Sequence, residues 1–407
     1  MPFVIFVSPF FTEFNVRAIE YAASMPDVRL AVISQEPQEQ LPPHARGRLA
    51  GHWRVENALG TEQLLWAARE LSQRAGSPIF RLFGGNEQLQ VPLAETREQL
   101  QVVGMSVETA RNFRDKSRMK DVLRAAGLPC ARHRLATSEA AAWAFAGEVG
   151  YPLVVKPPAG AASQETYKAN NADQLREVLA KLTPTPTNEA LLEEFITGDE
   201  QSFDTFAVNG KPLFHSITHY LPQPLDVMRN PWIQWCMLLP REIDDPKYDD
   251  IRAVGWRALE ALGMETGVSH LEWFRRRDGS IAISEVAARP PGAQIMTLIA
   301  RANDFDALGA WVKMMIKGTF DAPQRKYAVG AAYLRGQGQG RVKAIHGLEQ
   351  AMREVGHLVT DAKLPAIGQA PGKTYEGEGF IIMRHPETIV VQRALATVVN
   401  TVRVELG

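Results

Sequence analysis

Glu272 and Glu285 flank a stretch that reads as a hairpin. His270-Leu271-Glu272-Trp273-Phe274 runs through Arg275, Arg276 and Arg277 into Asp278-Gly279, then returns as Ser280-Ile281-Ala282-Ile283-Ser284-Glu285. Asp-Gly between two apolar, alternating runs marks a two-residue turn. Such a turn pairs Arg277 with Ser280, Phe274 with Ile283, and Glu272 with Glu285. Like charges directly opposite in a ladder destabilise it, and carboxylates among apolar residues are costly unless compensated. A divalent cation held by both compensates them, and Mg²⁺ or Mn²⁺ prefers such oxygen ligands. A metal that takes two carboxylates and keeps room for phosphate points to nucleotide chemistry. The competing reading is a pair of solvated glutamates on an exposed hairpin.

Two upstream segments bear on that choice. Lys156 ends the apolar run Leu153-Val154-Val155 and is followed by Pro157-Pro158 and the small residues Ala159 to Ser163. Small side chains let backbone N–H groups approach phosphate oxygens, and a lysine adds a point charge. No Gly-Lys-Ser/Thr follows, so this is not a Walker A loop, and a plain surface turn reads equally well. The second segment is Glu193-Glu194-Phe195-Ile196-Thr197-Gly198-Asp199-Glu200. Backbone groups near Phe195 and Ile196 are placed to read an adenine edge, and Glu200 to accept ribose hydroxyls. Alone, this segment reads as an acidic loop between strands.

Taken together and in order, Lys116, Lys156 with its small-residue loop, Glu193-Glu194-Phe195-Ile196 with Glu200, His270-Leu271-Glu272, and Glu285-Val286-Ala287-Ala288-Arg289-Pro290-Pro291-Gly292 resemble the ATP-grasp superfamily. The match is to its carboxylate–amine ligase branch, which includes enzymes like biotin carboxylase and L-amino acid ligase. It is best marked from Lys116 to Phe320. The resemblance implies an ATP-grasp fold with an N-terminal α/β, Rossmann-like layer and a small C-terminal α+β lobe. Lys116 and Lys156 correspond to the lysines that hold ATP phosphates, and the Ala159–Ser163 loop, with Ser163, to the nucleotide lid. Glu193 corresponds to the acid near the adenine amino group, with Glu194 and Ile196 giving main-chain contacts, and Glu200 to the ribose ligand. Glu272 and Glu285 correspond to the ligands of Mg²⁺ (or Mn²⁺), and Arg289 to the arginine beside the transferred phosphoryl group. The family often carries Asn two residues after the second metal glutamate; here Ala287 stands there, and alanine has no donor for a cation.

The implied reaction is ATP-dependent ligation. A substrate carboxylate is activated as an acyl phosphate, an amine attacks it, and amino acids are one class it would join. Arg289 and Lys156 are the catalytic candidates. The alternatives are a biotin-carboxylase-like enzyme and a noncatalytic ATP-binding protein, the latter permitted by Ala287. His270 shares a strand face with Glu272 and reads as a substrate contact, an orienter of Glu272 or a core histidine. Arg289 has a structural reading too, paired with either glutamate. His215, His219, Trp232 and Trp235 fall between the nucleotide and metal segments; they read as the lining of an acceptor pocket or, more commonly for aromatics at such spacing, as core.

These residues need elements to hold them. The first third alternates strand and helix: Phe3–Val7, Asn15–Met25, Leu30–Ile33, Thr61–Ala75 with Thr61 as N-cap and Gly76 as stop, and Ile79–Phe83. That order predicts a parallel sheet with helices on its faces. A helix over 117–126 and an α+β stretch follow, with a second hairpin at Asn209-Gly210. Further helices are expected at Asp249–Leu262, Gln294–Ala302, Asp306–Ile316 and Leu348–Val355. Three parts result: 1–115, an N-terminal α/β domain; 116–320, the nucleotide domain with a lid at about 130–200; and 321–407, the C-terminal lobe.

With 407 residues the chain exceeds one ordinary core. A net charge of −1 gives no footprint for nucleic acid or an anionic membrane surface. No apolar stretch approaches the roughly 20 residues that span a bilayer. The start of the chain reads as a strand, not a signal peptide. With only Cys130 and Cys236, a reducing cytoplasm is expected. The partners expected are a small-molecule carboxylate and amine, with no nucleic acid and no membrane; a homodimer is common among the proteins this chain resembles.

Overall fold

Parallel pairing dominates the first third of the computed structural model, which describes residues 1–158, 166–230, 233–372 and 374–407. Strands β1 (Phe3–Ser8), β2 (Arg29–Ser34), β3 (Gly51–Arg54) and β4 (Ile79–Phe83) form a sheet in the order β3-β2-β1-β4. All of its pairs are parallel. β1 is buried along its whole length, as a strand covered on both faces must be. β3 carries no alternating apolar run and was not foreseen. The helix Thr61–Ala75 ends at Gly76 in the left-handed conformation, but its N-cap is Gly60. Thr61 lies inside the first turn and its hydroxyl donates to Glu95 at 2.6 Å, so the expected Thr61 cap is corrected by a tertiary partner.

A small antiparallel sheet follows, built from β5 (His133–Ala136), β6 (Leu153–Lys156), β7 (Tyr167–Ala169) and β8 (Ala190–Glu194) in the order β5-β8-β6-β7. The helix Lys116–Ala125 precedes it. Asp115 caps this helix, accepting from the amides of Ser117 and Arg118 at 2.9 and 3.0 Å. Lys116 and Lys120, four residues apart, therefore lie on one face of the helix, and both are buried.

The third sheet is the largest. It takes β9 (Asp199–Val208), β10 (Lys211–Leu221), β11 (Trp235–Leu239), β12 (Gly267–Arg275), β13 (Ile281–Ala287), β14 (Ala328–Leu334), β17 (Val359–Lys363) and β18 (Gly379–His385). Their order is β13-β12-β9-β10-β11-β14-β18-β17. β15 (Gly336–Gly338), β16 (Val342–His346) and β19 (Arg403–Leu406) make a separate three-stranded sheet. The β9–β10 turn is Asn209-Gly210 with φ of +50° and +76°, the left-handed pair that a two-residue hairpin requires. Helices fall at Asp249–Leu262, Ile295–Asn303, Ala307–Lys317 and Leu348–Val355, within two residues of expectation.

The β12–β13 hairpin corrects the expected register in an instructive way. Arg276 donates to Ser280 O and Gly279 to Arg276 O, both at 2.9 Å, and Gly279 has φ +84°. The connection is therefore the three residues Arg277 to Gly279, and Arg277 does not pair with Ser280. Phe274 faces Ala282, not Ile283. A bulge at Ser284 then takes the extra residue back, so Glu272 still faces Glu285. A bulge leaves one residue unpaired and re-aims its neighbours.

Candidate active site

One cavity of about 540 Å³ lies between the small sheet, the edge of the large sheet and the N-terminal layer. Lys116, Lys156, Glu193 to Ile196, Glu200, His270, Glu272, Glu285 and Arg289 all line it. Of the expected site residues only Ser163, with the rest of the Ala159–Ser163 loop, lies outside the described residues, as does Trp232.

The lysine end is a closed network. Glu193 is 5% exposed, with Lys120 Nζ 2.9 Å from one oxygen and Lys156 Nζ 2.8 Å from the other. Burial works against the Glu193 carboxylate, but the two ammonium groups outweigh it and hold its pKa at about 2. Lys120, fully buried, has its pKa lowered by that burial. Lys156 is raised, because Glu193 and Glu285 outweigh the burial penalty. Lys120 also donates to the carbonyl of Ser284, the bulged residue of β13. The bulge thus frees an acceptor that a lysine from a distant helix takes up. Lys116 pairs with Glu285, and burial of Glu285 is likewise outweighed, by Lys116 and Lys156, to give a pKa of about 2.

Lys120 was not among the expected residues. The signal was present: it follows Lys116 by four on a capped helix, which puts both on one face. The Glu193 carboxylate, expected near the adenine amino group, is held by Lys120 and Lys156.

The part of the cavity expected to take the base is lined by apolar groups. Ile196 packs with Ala131 and Ala282, and Phe274 lies against them. Lys168 Nζ sits 3.7 Å from the centroid of the Phe195 ring, and the Phe195 amide donates to Pro152 O at 3.2 Å. Glu194 is turned to the rim, where Arg132 and Arg276 hold its two oxygens at 2.7 and 3.2 Å. Glu200 is 9% exposed. Burial and the nearby Glu272 raise its pKa well above its ordinary value.

His270 is 8% exposed and bridges two acids. Its Nδ1 lies 2.6 Å from Asp204, and its Nε2 lies 3.5 Å from Glu272. Burial disfavours the imidazolium, but Asp204 and Glu272 outweigh that and raise its pKa to about 9. Ser202 donates to the second Asp204 oxygen at 2.8 Å, which fixes the acid that fixes the ring.

Arg289 pairs with neither Glu272 nor Glu285, which corrects the structural reading given to it. Its Nε donates to Glu87 at 3.0 Å, and its Nη1 donates to Pro290 O at 3.1 Å. Glu87 belongs to a short 3₁₀ turn of the N-terminal layer. Its acid character is invisible as a site signal in the sequence, because it lies 202 residues away from its partner. His215 and His219 are partly buried and line no part of this cavity. Burial lowers both to a pKa of about 4; His215 stacks on Phe203 and His219 meets the Tyr248 hydroxyl at 2.8 Å. Trp235, expected as core, is 2% exposed but also lines the cavity.

The carboxylate pair fits one hard divalent cation. Glu272 and Glu285 are directly opposed in the ladder, and their side chains are 30% and 21% exposed, toward the cavity they both line. Ala287, next on that face, adds no donor. Among the described residues no group of three or more His, Cys, Asp or Glu side chains is placed to hold a metal. Two carboxylates suit Mg²⁺, which keeps waters and phosphate oxygens for the rest of its shell.

Residues 149–298 match the family model for the ATP-grasp domain. The chain is similar to an L-arginine-specific L-amino acid ligase of Bacillus subtilis, 29% identical over 211 residues covering 50% of each chain. It is also similar to an uncharacterized protein of Sinorhizobium fredii, 26% identical over 309 residues, covering 72% of this chain. It spans 50% and 62% of the length of these two relatives. Among solved structures, an L-amino acid ligase from Bacillus licheniformis superposes with a TM-score of 0.76 over 100% of this chain and 99% of that one, at 18% identity, which shows a shared fold. Residues 149–298 therefore carry an ATP-grasp domain, and the chain as a whole shares the fold of these ligases and resembles the carboxylate–amine ligase branch.

Proposed function

We propose that this protein is an ATP-dependent ligase that activates a substrate carboxylate as an acyl phosphate and transfers the acyl group to an amine, with amino acids as the leading substrate class. The observation that carries this reading is one cavity lined by Lys116 and Lys156 and by an opposed carboxylate pair beside an arginine. In this reading residues 1–115, 116–320 and 321–407 are its working parts, and the reaction runs in the cytoplasm on small molecules.

ATP lies with its base against Ile196, Ala131 and Phe274, where main-chain groups of Glu194 and Ile196 contact the base. Glu200 takes the ribose. Lys156 and Lys116 hold the phosphates as point charges. Both must loosen their present acids to do so, so nucleotide and glutamate compete for the same ammonium groups. Mg²⁺ held by Glu272 and Glu285 would supply charge neutralisation at the phosphate oxygens. Arg289 faces the transferred group, where a fixed guanidinium lowers the barrier as charge spreads over the oxygens. The substrate carboxylate oxygen attacks the γ-phosphorus and ADP leaves. The amine nitrogen then attacks the acyl carbon, phosphate leaves, and the nitrogen loses a proton. No enzyme nucleophile is required.

The test is ADP release from the purified protein with ATP, Mg²⁺ and a panel of amino acids and small acids. Stimulation by an acid together with an amine is expected. No stimulated release across the panel would overturn the ligase reading. Ala287 favours a second reading, a nucleotide-binding protein without turnover; tight ATP binding together with that negative result would establish it.

A further inference from the structure

The cavity carries two chemistries side by side. Beside the charged groups the cavity is lined by an aromatic wall of Tyr220, Trp235 and Tyr375. Trp235 stacks on Tyr333, with centroids 4.7 Å apart and planes at 26°. Tyr375 also packs against Trp235, tilted, at 4.7 Å and 59°. The polar handles behind the wall are already used. The Trp235 indole N–H donates to Pro222 O at 3.0 Å, and the Tyr333 hydroxyl donates to Ala293 O. What Trp235 offers the cavity is therefore carbon surface, held rigid by the core it belongs to. Tyr375 comes from the segment between β17 and β18, is half-buried, and lines the same cavity as Glu272, Glu285 and Arg289.

A carboxylate bound beside Arg289 must send the rest of its acid somewhere. The lysine side is charged, and the base end belongs to the nucleotide. Tyr375 lines the cavity close to Arg289, Glu272 and Glu285, so ring surface is within reach of such an acid, and an aromatic or large apolar side chain gains most from burial against it. We propose that Tyr375, backed by Trp235, is a specificity-determining residue that seats the side chain of the carboxylate substrate, so that this enzyme takes acids with aromatic or large apolar side chains. The inference rests on the ligase reading for its chemistry, but the pocket is testable separately.

The experiment uses the full chain with ATP, Mg²⁺ and hydroxylamine as the amine, so that any acyl phosphate is trapped as a hydroxamate. L-Alanine, L-leucine, L-phenylalanine, L-aspartate and L-lysine are compared as acids. Phenylalanine is expected to exceed alanine in kcat/KM by about tenfold or more, mostly through KM, as burial of a large apolar group implies. Tyr375→Phe keeps that ratio, because the ring remains; Tyr375→Ala collapses it toward one. Equal values for alanine and phenylalanine, a preference for aspartate or lysine, or an unchanged ratio in Tyr375→Ala would each overturn the proposal. So would a loss in Tyr375→Phe as large as in Tyr375→Ala, which would make the hydroxyl, not the ring, the working part. Calorimetric titration of phenylalanine and alanine into the protein with ADP and Mg²⁺ separates the two readings. Selective phenylalanine binding without hydroxamate from any acid leaves the pocket standing and removes the ligase. Hydroxamate formation without selectivity does the reverse.

Discussion

Two sets of acids in the same cavity are treated differently by the fold. Glu193 on β8 is sealed, with a lysine on each oxygen and 5% exposure. Glu272 and Glu285, opposed across β12 and β13, are left partly open; Lys116 holds one of them, and His270 stands 3.5 Å from the other. A buried charge that is fully paired fixes structure, whereas a charged pair left open to a cavity is available to a ligand. In the proposed reaction the difference puts Glu193 with Lys120 on the side of stability and Glu272 with Glu285 on the side of chemistry, with Lys156 shared between them, and four experiments can break or sharpen that division.

The largest effect is expected at the open set. Glu285→Gln keeps the shape and removes the charge, so turnover should fall by about a hundred- to a thousandfold, measured as steady-state ADP release. Circular dichroism should show the fold retained. Near-normal turnover would move Glu285 out of the chemistry and erase the distinction.

The sealed set should answer in stability. Lys120→Met leaves Glu193 buried with one lysine, and breaking a buried pair costs about 3–5 kcal/mol, read from urea unfolding. Arg132→Ala breaks the rim pair to Glu194, where the arginine side chain is 49% exposed, and should cost under about 1 kcal/mol. Equal costs would mean that burial does not separate the two pairs.

Acid should distinguish the sets as well. The Glu193 pKa is depressed from the ordinary 4.5 to about 2. A depressed carboxylate contributes stability that is fully present above 4.5 and is lost as pH falls through about 2. Its share is on the order of 3 kcal/mol. The stability difference between wild type and Glu193→Gln should therefore shrink between pH 5 and pH 3, measured by denaturant unfolding at each pH. A difference independent of pH would show that the lysines do not hold that charge.

What the sequence made legible follows the range of the interactions. Period and turn chemistry are local, so the helices of the site, both hairpins and the Glu272–Glu285 opposition could be read from residue types. The opposition was reached through two local departures that cancel, a turn one residue longer and the bulge at Ser284. Nothing in the residues around Asp278-Gly279 announces the bulge. Its cause is distant: Ile283 donates to Pro129 O at 2.8 Å, and Lys120 takes the Ser284 carbonyl. The same range explains Glu87 on Arg289, and Tyr375 on Trp235. Each joins segments more than a hundred residues apart, and neither partner has a local pattern that names the other. Lys120 is the exception, since its spacing from Lys116 was a local signal.

The smallest effect is the most informative about the open set. Ala287 is 2% exposed, lines the cavity, and follows Glu285 by two on the same strand face. Replacing it with Asn adds one amide oxygen on the side where the two carboxylates already point. If the pair holds one cation and leaves the rest of its shell to phosphate and water, a third protein oxygen should tighten Mn²⁺ binding in the presence of ADP by about threefold or more, since affinity follows ligand number. Electron paramagnetic resonance of free Mn²⁺ reads this without turnover. Because β12 lies directly opposite, with His270 facing Ala287, the new side chain must turn into the cavity and not toward the ladder. Weaker binding with unchanged stability would mean that Asn crowds the ion, and that the alanine is what lets two carboxylates serve as the complete protein share of the site.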